Sequence, residues 1–237
     1  MMTGGGGAML RDDTIARDLL AELIRGAVDD TVRQQMMRRA QEPQISSKIA
    51  TTIEGRLNGA LLGRYRVTAV VQDFTDRGPK SGEWHSGSDL YLGLRVDNGV
   101  EPPRAKGMLI QAKKRQLALR GKDGAINPRV GKGHLDLLKQ CEKMLKRTVP
   151  NGAFVWLYSA NGTEVLPARE VLDNPQRLAE SLNPRGVADQ FREVLDCFQG
   201  DPDLVGRGIF DDDGALADFM GEIAVARAVT IDVAPHD

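Results

Sequence analysis

Two strand-like segments decide the reading of this chain: Gly87-Ser88-Asp89-Leu90-Tyr91-Leu92-Gly93-Leu94-Arg95-Val96, then, past a turn, Lys106-Gly107-Met108-Leu109-Ile110-Gln111-Ala112-Lys113-Lys114. Alternate side chains leave a strand on opposite faces. Met108, Ile110 and Ala112 therefore share one face, and Leu109, Gln111 and Lys113 share the other. Asp89 stands at the mouth of the first segment, so a hairpin brings its carboxylate beside Gln111 and Lys113. A carboxylate, a second oxygen donor and an amine on one face suit a divalent cation and a water that attacks phosphate.

The surrounding pattern supplies a frame for that pair. Residues 10–41 show helical spacing, as one long helix or two short ones, and Glu42-Pro43 is read as a break. A second helix is expected over 46–62, where Ile45, Ile49, Ile53, Leu57 and Leu61 recur at every fourth place. Strands follow at 65–74, 89–96 and 108–114, then a helix at 135–147, a buried strand at 153–159 and its hairpin partner at 164–166. The remainder is expected as helices at 169–182, 187–198 and 215–225, closing on an apolar strand at 228–233. The implied fold class is α/β, a mixed central sheet flanked by helices.

Asp89 followed by Gln111-Ala112-Lys113 resembles the PD-(D/E)xK nuclease superfamily, which includes restriction endonucleases and Holliday-junction resolvases. In that family an Asp precedes a strand bearing Glu-x-Lys; here Gln stands for Glu, as in branches that contain modified-DNA restriction enzymes and anti-phage effectors. The resemblance implies a restriction endonuclease-like core over residues 45–167, preceded by a flexible tail and helical extension (1–44) and followed by an acidic helical region packed on the core (168–237). It implies a Mg²⁺-dependent deoxyribonuclease, with Mn²⁺ as a substitute ion. Asp89, Gln111 and Glu54 are the implied metal ligands. Glu54 lies on the helix before the first strand, where many members carry an acid that completes the site; here it would compensate for the charge missing at Gln111. Lys113 would orient the water or stabilise charge in the transition state. Gln140, on the helix after the motif, resembles an auxiliary glutamine of some branches. Glu83 and His85 lie on the loop before Asp89, where either could serve as a ligand or base. The alternative is a catalytically degenerate module of the same fold that binds nucleic acid or a protein partner in a defence complex.

Charge distribution fits a polyanion partner. The net charge of the 237 residues is only −1, yet residues 104–147 hold thirteen Lys or Arg against three acids, a local +10. Residues 151–237 hold six Arg and sixteen acids, a local −10. The basic block coincides with the motif, and Lys114, Arg115, Arg120, Lys122, Arg129 and Lys132 are the candidate DNA contacts. The acidic C-terminal region is a candidate surface for a protein partner, and a homodimer is the expected route to cutting both strands.

Other classes are excluded on pattern. The stretch Gly121 to Gly133 lacks the G-x-x-x-x-G-K-[ST] form of an ATP-binding loop, because six residues separate Gly124 from Gly131 and Gly133 follows Lys132. Cys141 and Cys197 are too few for a disulfide framework and lack zinc spacing. No apolar run approaches the roughly 18 residues of a membrane span, and a cytoplasmic location is expected.

Overall fold

A computed structural model describes residues 9–10, 13–73, 86–115 and 132–236. Its helices are α1 (Thr14–Met37), α2 (Glu42–Leu57), α3 (Lys132–Leu145), α4 (Ala168–Asp173), α5 (Val187–Leu195) and α6 (Asp213–Ile223). Its strands are β1 (Leu61–Leu62), β2 (Tyr65–Asp73), β3 (Leu90–Val96), β4 (Arg104–Lys114), β5 (Ala153–Ser159), β6 (Gly162–Pro167), β7 (Arg185–Gly186) and β8 (Arg227–Pro235).

All eight strands form one mixed sheet in the order β1-β2-β8-β3-β4-β5-β6-β7. β3 and β4 are an antiparallel pair, with Leu90 opposite Ile110, and β4 runs parallel to β5. β8 lies between β2 and β3, antiparallel to the first and parallel to the second. Residues 168–237 thus contribute β7 and a central strand as well as helices.

Alternation along the strands divides the apolar side chains between two cores. Leu90, Leu92, Met108, Ile110 and Ala112 pack with Ile24 and Val28 of α1, Ile49 and Ile53 of α2, and Phe191 of α5. Tyr91, Leu109, Val155 and Leu157 pack with Leu137, Cys141 and Met144 of α3, Val171 of α4 and Met220 of α6. A sheet covered by helices on both faces explains why β5 is buried almost throughout.

Several element boundaries differ from the sequence expectation, for local reasons. α2 begins at Glu42 rather than at residue 46, because Pro43 falls in its first turn, where a missing N–H costs nothing. α2 stops at Leu57 because the chain reverses at Gly59, whose φ of +82° suits glycine, and Gly59 N–H donates to Val67 O. The helix expected over 169–182 ends at Asp173, ahead of Pro175, and resumes only as a 3-10 turn at Ala179–Ser181. No described helix is long and apolar enough to cross a membrane.

Candidate functional site

β3 and β4 bring Asp89 and Gln111 into direct contact. The Asp89 N–H donates to Ile110 O at 2.9 Å, which continues the hairpin ladder one residue before β3 begins. Its carboxylate turns onto β4. There Oδ2 accepts from Gln111 Nε2 at 2.6 Å and from the Ala112 N–H at 2.7 Å. Ser88 reinforces the corner, its hydroxyl donating to Ile110 O at 3.1 Å and accepting from the Ile110 N–H at 3.2 Å. Gly87 makes the approach possible. It has φ +73°, and a Cβ there would stand 2.5 Å from the Gln140 carbonyl oxygen of α3.

Gln111 is fully buried. Its Nε2 also donates to Ala112 O at 3.1 Å, so both amide hydrogens are placed, yet Oε1 is buried with no hydrogen-bond partner. An orphaned acceptor of this kind costs about 1–3 kcal/mol and marks a position that a donor or a cation would satisfy. Gln140 repeats the feature, with a buried and unpartnered Oε1 on the helix that covers this face of the sheet.

Lys113 is two residues further along β4, with its side chain 23% exposed. It lines a cleft of about 200 Å³ shared with Glu42, His134, Asp136 and Glu180. Its Nζ lies 3.6 Å from Glu42 Oε2. Cys141 of α3 is near enough to feel the Lys113 charge: burial pushes the thiol up to about 12, and the ammonium opposes that rise. A thiol so held stays protonated and is no nucleophile.

Glu54 is not brought to this group. Its Oε1 accepts the Val71 N–H of β2 at 3.1 Å. The same open edge is capped by Ala60 O at the Val67 N–H and by Asn58 Oδ1 at the Ala69 N–H. This is how a sheet edge meets its hydrogen-bonding needs. β8 separates β2 from β3, so at least two strand spacings, about 10 Å, lie between Glu54 and the strand of Asp89.

The candidate DNA contacts are divided. Lys114 is half-buried, and its backbone N–H is bound by Glu42 Oε1 at 2.7 Å. Arg115 is exposed but paired with Glu164 at 2.9 Å, an ion pair between the basic and acidic blocks. Lys132 opens α3. Arg120, Lys122 and Arg129, with Glu83 and His85, lie outside the described residues.

Two acids were not anticipated. Reading Glu42-Pro43 as a break hid that Glu42 opens α2 beside Lys113. Asp73, at the end of β2, pairs with Arg227 at the start of β8. The available signal for Glu42 was an acid followed by proline ahead of a helical pattern, which is a helix start.

Oxygen donors fit a hard cation such as Mg²⁺, and Asp89 with the orphaned Gln111 Oε1 supplies one anionic and one neutral oxygen. Among the described residues no group of three or more His, Cys, Asp or Glu is placed to hold a metal. Any ion here would be completed by water and substrate phosphate, the usual habit of Mg²⁺. No protein-family model matches the chain, and no curated protein or solved structure matches it either.

Proposed function

We propose that this protein is a Mg²⁺-dependent DNA endonuclease whose site is Asp89, Gln111 and Lys113. One observation carries the reading: a buried glutamine oxygen without a partner, on a side chain that its other atoms fix against a carboxylate. A bound Mg²⁺ would neutralise charge on the scissile phosphate and acidify a water. Asp89 Oδ2, held by the Ala112 N–H and the Gln111 amide, keeps the corner fixed, which limits the reorganisation that ion binding would cost. Gln111 orients its Oε1 through two donated hydrogen bonds. Lys113, mostly buried at the edge of the cleft, would supply positive charge to an arriving phosphate. Restriction or anti-phage defence is the setting that the motif resemblance suggests.

Titration with Mg²⁺ by calorimetry, alongside a plasmid-nicking assay, tests this. Binding heat and nicking that both vanish in Asp89→Ala are the expected result; nicking that persists in Asp89→Ala and Lys113→Ala overturns it.

A second reading, a degenerate module that binds nucleic acid or a protein, is favoured by a specific feature. Asp89 Oδ2 already accepts two hydrogen bonds, one of them from the strand backbone, which is a sufficient structural role. That reading expects DNA binding with no Mg²⁺ heat.

A further inference from the structure

The two carboxylate oxygens of Glu42 face two partners on β4. Oε1 accepts the Lys114 N–H at 2.7 Å, and Oε2 lies 3.6 Å from Lys113 Nζ. Glu42 is itself well fixed, because the first turns of α2 are tied to three further strand ends. Pro43 O accepts from Arg227 of β8 at 3.5 Å. Ser46 Oγ and Tyr158 OH of β5 share a hydrogen bond at 3.1 Å, and Ser47 Oγ donates to Asp73 of β2 at 3.5 Å. An unrestrained lysine side chain carries about 2 kcal/mol of rotamer entropy, so an anchored carboxylate narrows where the amine can be found. His134, Asp136 and Glu180 line the same cleft. Among the described residues, Glu42 is the acid at ion-pair distance from Lys113.

We propose that Glu42 is a positioning residue, fixing the Lys113 amine in its cleft at the end of β4, two residues beyond Gln111, while pinning the strand end that carries it. Its effect on turnover rests on the nuclease reading; the restraint on the side chain does not.

Two substitutions separate the contacts. Glu42→Gln keeps an oxygen for the Lys114 N–H but removes the charge facing Lys113, whereas Glu42→Ala removes both. In Glu42→Gln, kcat for DNA cleavage is expected to fall roughly 10- to 100-fold. KM should stay unchanged or drop, since a negative charge has left a surface that meets a polyanion. The NMR order parameter at Lys113 Cε should fall, while amide exchange at Lys114 stays slow. Exchange at Lys114 should accelerate in Glu42→Ala, and Glu42→Asp should recover part of the turnover. A Glu42→Gln protein that cleaves at the wild-type rate, or keeps Lys113 as ordered as before, overturns the proposal. If the wild-type protein does not cleave DNA, the nuclease reading falls on its own, and Lys113 side-chain order still decides the positioning role.

Discussion

Each end of β4 meets a buried aspartate, and the two are satisfied in different ways. At the Gly107 end stands Asp201, joined to the strand by reciprocal backbone hydrogen bonds of 2.9 Å with Gly107. Its carboxylate accepts from Thr148 Oγ1 at 2.6 Å, the Val149 N–H at 3.1 Å and the Asp203 N–H at 2.9 Å. That network is closed, as a structural anchor should be. At the other end, Asp89 draws Gln111 into place and leaves a glutamine oxygen with no partner. Burial is common to both acids, so burial alone does not mark a site. The difference lies in what the neighbours still lack.

The comparison is broken most directly by exchanging the charge at the open end. Asp89→Asn should cut Mg²⁺-dependent nicking by about 10²–10³-fold, measured on supercoiled plasmid, with little change in melting temperature. Asp201→Ala should do the reverse. It strips three donors of their acceptor and should cost about 2–3 kcal/mol in urea unfolding. Cleavage well below the melting point should be retained.

Acid sharpens the same contrast. Burial pushes the Asp201 carboxyl up, but the hydrogen bonds from Thr148, Val149 and the following backbone outweigh it, and the group is held below its ordinary value. The folded state therefore prefers the carboxylate. The stability it contributes is complete above the unfolded value of about 3.9 and is lost as pH falls through the lower folded value. Unfolding followed below about pH 4 should show a steeper loss for wild type than for Asp201→Asn.

At the open end, Gln111→Glu would place a second carboxylate against Asp89. Without metal the repulsion should lower the melting temperature. With Mg²⁺ the order should reverse, and calorimetry should read an affinity about tenfold tighter, roughly 1.4 kcal/mol. An unchanged Mg²⁺ response would mean that the orphaned oxygen is not a ligand. The smallest effect belongs to Glu54→Gln, whose amide oxygen can still cap the Val71 N–H. Nicking should stay within about twofold and stability within about 0.5 kcal/mol.

Much of this geometry was legible in the sequence because it is local. The β3–β4 hairpin follows from strand periodicity, and two-residue alternation put Gln111 and Lys113 on one face. The meeting of Asp89 with Gln111 then needed only a turn between them. Glu54 was harder to place. Helical periodicity gives its face on α2 but not which strand that face meets, and β8 had to enter the sheet before the distance to Asp89 was set. Glu42 was obscured by an ambiguity of proline, which breaks a helix interior yet suits a first turn. The apolar strand at the end of the chain was readable as a strand. Its neighbours were not, since no local pattern names a partner some 150 residues away.

That late strand has a consequence for how the molecule assembles. Arg227 and Asp73 pair across 154 residues, so β2 and β3 become members of one sheet only once β8 has slotted between them. Loops of that length close slowly, and such a topology belongs among slow folders. A chain still emerging from the ribosome can form the β3–β4 hairpin but lacks the strand that braces it. The Asp89–Gln111 corner would then gain its bracing only after β8 has been made and inserted between β2 and β3.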